Sequence, residues 1–339
     1  MNKGFRIIIS LLLILTMAVV GLLCAAYYFY AVTYIHNDAY GVAVAGVQIT
    51  RENCDDVLGD GTVSYNPTLN TLTLDNACIV TDYSAIYSVI DLQMVLVGEN
   101  TITCKDNDYI PAIYAAQHNL YKDLAIVGDG SLTISFQNTT GDVLGIAARD
   151  LLIESDVTVA TPDASGIVNG VYCTSSLHLM AGARLTVVNG AGQYSTALAV
   201  RGNVHLANDA SLTVTAHPAT AETCRGLNID GDLILAENAS VSVSLEDAST
   251  STSRCMYVSG LIQMAANATV SASSERTYAI ECYGAMKLGD GASVVATTKG
   301  EGADIFCAGA IVNGGATVTA EVDAIGGIRN ESEKSLQGE

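Results

Sequence analysis

The sequence has no tryptophan, and only four phenylalanines and four prolines among its 339 residues. So few large rings exclude a core built around bulky aromatics. Abundant Ala, Val, Leu, Ser, Thr and Gly instead suit a narrow interior of small stacked side chains. Positive charge is scarce too: 15 Lys and Arg stand against 35 Asp and Glu, a formal net charge of −20. A field of that sign repels phosphate backbones, which argues against nucleic acid as a partner, and it keeps a chain with many strand edges soluble. The nine cysteines form no CxxC pair and the five histidines no cluster. Neither a zinc site nor a thioredoxin-type motif is encoded, and no cofactor is expected. After residue 40 no stretch sustains a helical period, and the LxxLxLxxN pattern is missing, so helical and leucine-rich solenoids are excluded.

What is present is repetition. Five segments align without gaps: LANDASLTV (Leu206–Val214), LAENASVSV (Leu235–Val243), MAANATVSA (Met264–Ala272), LGDGASVVA (Leu288–Ala296) and VNGGATVTA (Val312–Ala320), with starts 29, 29, 24 and 24 residues apart. Upstream of the corner segments a small residue precedes an apolar one, as in Ala85-Ile86-Tyr87, Gly170-Val171-Tyr172 and Ala279-Ile280-Glu281. Ten such units run from Ile86 to Ile325, their apolar residues spaced 27, 33, 25, 27, 29, 29, 24, 25 and 20 apart. Each coil then reads as three short strands with period-2 alternation, the corner lying between the second and third. That is the pattern of a parallel β-helix. The expected fold is all-β, a solenoid of about ten coils, right-handed by the crossover rule for parallel strands. Residues 41–82 are expected to cap it with a hairpin (62–65 and 71–74 around Asn66-Pro67), residues 83–330 to wind it, and residues 331–339 to form a polar tail.

The N-terminus is of another kind. Lys3 and Arg6 precede an apolar run from Ile7 to Val32 interrupted only by Ser10, Thr16 and Gly21. At about 1.5 Å per residue it spans a bilayer about 30 Å thick. Tyr27, Tyr28, Phe29, Tyr30 and Tyr34 stand where an aromatic belt meets the membrane surface, and the N-terminal positive flank is the side that stays inside. Residues 1–40 are therefore expected to form a cytoplasmic tip and a transmembrane helix, with residues 41–339 exported. The competing reading is a signal peptide cleaved near Cys24-Ala25-Ala26, which would release the rest.

In the strand-one units the central residue points inward, as does the residue two positions on (Ser88, Ala115, Cys173, Cys282 and Cys307 among them). The residues between point outward. Tyr87, Tyr114, Tyr172, Tyr257 and Phe306 share that outward position, with Tyr283, Arg149, Arg201 and Asp230 two residues further. An aromatic stripe with polar neighbours can stack on sugar rings and bond their hydroxyls. The plainer reading is that the rings cover a sheet face through cross-strand contacts, the stripe being interrupted at Ala147, Ala199 and Gly326. The best carboxyl pair for glycoside hydrolysis is Asp230 with Glu281. They stand two coils apart in different columns, and a single pair without a third acid is the usual state of charges on a solvated face. No catalytic residues are expected. The Gly-Asp-Gly triplets at 59–61, 128–130 and 289–291 lack the calcium-binding nonapeptide, and turn chemistry accounts for them, with Asn208, Asn238 and Asn267 doing the same work in sister coils. Cys282 and Cys307 fall in one inward column of adjacent coils, close enough for a disulfide or for two buried thiols.

The stretch GVQIT…DVLGDGTVSYNPTLNTLTLDNA (Gly46–Ala77), followed by repeated GIY-like and SLTI/SLTV units, resembles bacterial surface proteins of the carbohydrate-binding domain-containing type, built as β-helical repeats. The resemblance covers most of residues 41–320. It implies a surface adhesion module with a glycan or host-surface ligand, and it brings no catalytic residues. A passive stalk and a polysaccharide lyase or hydrolase are the alternatives in other functional classes.

Overall fold

The computed structural model describes residues 39–105, 111–117, 120–217, 223–246, 253–275, 278–299 and 303–330. They are all-β and form a β-solenoid of about eight turns. Three sheets of 13, 12 and 10 strands run the length of the molecule, and each turn of chain adds one strand to each. One turn shows the unit: Tyr194–Val200 lies in the first sheet, Val204–Leu206 in the second and Ser211–Ala216 in the third. The next turn stacks on it in parallel and in register, pairing Leu198 with Leu227, Val204 with Leu233, and Leu212 with Val241.

The register follows from period-2 alternation. A slip of one residue would turn Leu212 and Val214, both buried, out to solvent. The inner columns therefore pile like on like, and each fully buried Val, Leu or Ile side chain contributes about 1.5–3 kcal/mol. Between the second and third strands the chain turns a corner closed by a backbone hydrogen bond, such as Ala210 N–H to Ala207 O and Ala239 N–H to Ala236 O. The third residue of that turn has positive φ: Asp209 (+62°), Asn238 (+59°), Asn267 (+58°) and Gly291 (+66°). This is the place that type II turns give to Gly or Asn. In the first of these corners the residue is Asp209, not the expected Asn208.

Two hairpins close the N-terminal end. Val63–Asn66 pairs antiparallel with Thr71–Asp75, which in turn pairs parallel with Leu92–Val97 of the second sheet. A second hairpin, Ala39–Val44 with Val47–Thr50, lies antiparallel on Ile86–Ser88 and covers the first sheet.

The expected count of ten coils is reduced at the ends. In the first sheet eight strands, from Ile113–Gln117 to Ile305–Cys307, have a parallel neighbour on both sides. The Ile86 strand has the antiparallel cap on one side. The last unit is displaced: Val322 pairs with Ile305 and Asp323 with Phe306, so Ile325 and Gly326 are not column members. Ile325 is 72% exposed, because the shorter final spacing brings a different residue into register. The expected anchor at residues 7–32 and the tail at 331–339 lie outside the described residues. No helix among the described residues is long and apolar enough to cross a membrane.

Candidate functional site

The outward face of the first sheet carries the aromatic residues expected from the sequence. In register along it run Tyr87, Tyr114, Ala147, Tyr172, Ala199, Asn228, Tyr257, Glu281 and Phe306. The stripe is two clusters rather than one broken line. Tyr87 and Tyr114 stand 6.0 Å apart by ring centroid, Tyr114 meets Tyr121 at 5.9 Å, and Tyr121 meets Tyr172 at 5.8 Å. Tyr121 thus bridges the gap over Ala147, which is fully buried. Sequence reasoning did not name Tyr121. It sits on a two-residue strand, Leu120–Tyr121, folded back antiparallel on Ala116 and Gln117. The signal that could have found it is the spacing from Ile113 to Ile146, at 33 residues the longest of the series, which leaves room for an extra excursion.

A cleft of about 560 Å³ opens beside this first cluster. Its walls include Tyr87, Tyr114 and Tyr121, with Asp142 and Asn169 among the polar groups. One Asp142 oxygen accepts a hydrogen bond from the Ile167 N–H at 2.7 Å, which holds the carboxylate against the wall. The second cluster lies toward the other end: Tyr257–Tyr283 at 5.4 Å, Tyr283–Phe306 at 5.5 Å and Tyr278–Phe306 at 5.6 Å.

Between the clusters, over Ala199 and Asn228, the face is polar. Arg201 pairs with Asp230 at 3.0 Å, Asn228 donates to Asp230 at 3.2 Å, and Arg225 donates to the Asn228 oxygen at 3.3 Å. Arg254 lies 4.5 Å over the Tyr257 ring and 3.7 Å from Glu281. Arg149 is placed apart from this group and is held by Asp123 and Asp150.

Glu281 corrects the sequence reading of an isolated charge on a solvated face. It is only 8% exposed, standing between Tyr257 and Phe306 in its column with Arg254 3.7 Å away. Burial raises its carboxyl above the usual 4.5, against the opposing pull of Arg254 and Arg225. An acid that binds its proton more tightly when folded loses stability as pH rises through that raised value, and the loss is absent below the unfolded one. Glu281→Gln should therefore flatten the fall in stability above pH 4.5, measured as urea midpoints at pH 4 and pH 7. A variant as pH-dependent as the native chain across that range would show that Glu281 does not carry the effect.

The register separates Asp230 from Glu281 by two rungs and two columns, and each is engaged by a different arginine. They form no carboxyl pair across a common space. Cys282 and Cys307 are register partners, and both are free, fully buried thiols. Its hydrogen bond with Cys307, and then burial, raise Cys282, so it keeps its proton. In the Gly-Asp-Gly triplets Gly59, Gly61, Gly128 and Gly291 have φ of +78°, +77°, +108° and +66°, the backbone need that favours glycine in a corner. No protein-family model, curated protein or solved structure matches this chain.

Proposed function

We propose that this protein is an exported surface β-solenoid, held in the membrane by residues 7–32 and wound right-handed, which binds glycan on the outward face of its first sheet. The observation that carries the reading is the cleft in which Tyr87, Tyr114 and Tyr121 stand beside Asp142 and Asn169. Rings offer flat apolar faces to sugar C–H surfaces, and planar polar side chains bond hydroxyls. That combination of an apolar wall with a few placed polar groups marks a small-molecule site. The second cluster, Tyr257, Tyr283 and Phe306, extends the same surface. Export and anchoring rest on the charge and length of the N-terminal run.

A passive stalk is the competing reading, favoured by the fact that the rings largely contact one another. A glycan array probed with the full chain in detergent separates the two. Tyr114→Ala is expected to weaken binding of any glycan found by about tenfold, the equivalent of about 1.4 kcal/mol. If Tyr114→Ala and Tyr172→Ala leave affinity unchanged, the aromatic face is not the site. If no glycan binds, the stalk reading takes its place. Release of reducing or unsaturated sugar, abolished by Asp230→Asn or Glu281→Gln, would instead support the enzyme alternative.

A further inference from the structure

Between the two aromatic clusters stands a cation that pulls on the buried Glu281 from beyond contact distance and meets no carboxylate directly among the described residues. Arg149, Arg201 and Arg254 each have a carboxylate within 4.0 Å. Arg225, half-buried on the same face, has none among the described residues. Among the described residues its Nη1 reaches the neutral Asn228 oxygen at 3.3 Å, and its buried Nε has no acceptor. An unmade bond from a buried, charged donor is unfavourable, so the present pose of this guanidinium is one that a suitable acceptor would improve. Swung outward onto an oxyanion that presents two oxygens side by side, Arg225 could offer Nε and Nη together in the two-pronged geometry that its planar fork provides.

The surroundings say what would carry the oxyanion. Arg225 and Arg254 are register partners on adjacent strands, about 4.8 Å apart at the backbone, and their guanidinium groups lie on neighbouring column positions, Arg225 at Asn228 and Arg254 over Tyr257. Tyr172 and Tyr257 bound this polar stretch, three rungs or about 14 Å apart, with Ala199 and Asn228 between them in the column. Two rings with paired arginines between them suit a sugar unit with a negative substituent. In a chain of net charge −20, a general attraction for polyanions is excluded, so any preference must come from this local group.

We propose that Arg225, assisted by Arg254, forms a subsite for an oxyanion carried on a saccharide, a carboxylate or a sulfate. The proposal rests on the glycan reading and adds the class of glycan. The test compares a uronic-acid oligosaccharide, its neutral methyl ester and a sulfated oligosaccharide of like length, binding to the full chain in detergent. The acidic form is expected to bind at least about tenfold tighter than the ester, and whichever of carboxylate or sulfate binds better identifies the substituent. R225Q should abolish that preference while leaving the ester's affinity in place, and Arg225→Lys should restore only part of it, since an ammonium keeps the charge without the fork. Equal binding of ester and acid by the native chain overturns the subsite and leaves the aromatic face standing, a result that needs no variant to fold. Retention of the preference in R225Q also overturns it. Binding of none of the three overturns the subsite together with the face.

Discussion

Gly170→Val is expected to destabilise the solenoid locally by about 1–3 kcal/mol or more, the range for forcing extra atoms into a close-packed interior. Alternation along the strand Ile167–Cys173 breaks at this glycine: the residue before Val171 is buried as well as Val171 itself. A Cβ on Gly170 would stand 2.5 Å from the Ala197 carbonyl oxygen of the next rung and press on Val187 Cγ1 of its own turn's third strand. Gly226 repeats the arrangement, with Cys255 O at 2.6 Å and Val243 Cγ1 at 2.9 Å. Backbone cannot retreat there without parting two rungs. This is the physical content of the small-then-apolar unit seen throughout the sequence: the small member faces the interior at the corner between the first and third sheets. Gly170→Ala should cost less than Val, since sister turns hold Ala112 and Ala197 at the same place, both fully buried. Hydrogen exchange resolves the effect rung by rung, because solenoid turns depend mainly on their neighbours. Protection should fall at Val171 and Leu198 and be kept near Ile280. Unchanged protection at Val171 would mean that this corner is not sterically closed.

Asn189→Ala is the second large effect, expected at about 3 kcal/mol or more from buried partners left unpaired at about 1–3 kcal/mol each. Asn189 is fully buried at the end of the third-sheet strand Arg184–Asn189, where the following turns place Ala216 and Leu245. Its oxygen accepts from Thr161 Oγ1 at 2.7 Å, and its nitrogen donates to the Val168 carbonyl at 3.1 Å and to Ser195 Oγ at 2.7 Å. Ser195 Oγ donates onward to Gly190 O at 3.1 Å, and the Gly190 N–H donates to Thr161 Oγ1 at 3.2 Å. The network ties three successive turns together with its members satisfied, so removing its centre strands several groups at once. The Asn189→Ala, Thr161→Val double variant should be less destabilised than the sum of the singles, with a coupling of about 0.5–3 kcal/mol in thermal or urea unfolding. Strict additivity would show that the two side chains do not act as a unit.

Much of the architecture was legible because the fold repeats one local rule. Ile280 and Ile305 could be placed as neighbours from the spacing of identical units, and the structure pairs them. The ends were less legible. A terminal unit has a parallel neighbour on one side only, so its register is held by that single strand, as Val322 shows beside Ile305. On the candidate face, the column of Tyr87, Tyr114, Tyr172, Tyr257 and Phe306 followed from alternation alone. Tyr121 did not, because it belongs to an excursion outside the repeat. Nor did the burial of Glu281, since exposure of an outward residue depends on how far its neighbours' long side chains lean over it.

Sequence alone determined the stacking: period-2 alternation with like residues at fixed spacing admits one inner surface, and burial selects it. Tertiary structure decided which outward residues meet. Tyr121 closes on Tyr114, and among the described residues Arg225 contacts no carboxylate while Arg254 reaches Glu281. These outcomes turn on side-chain directions and on a chain segment folding back, over distances of a few ångströms that no column of letters encodes.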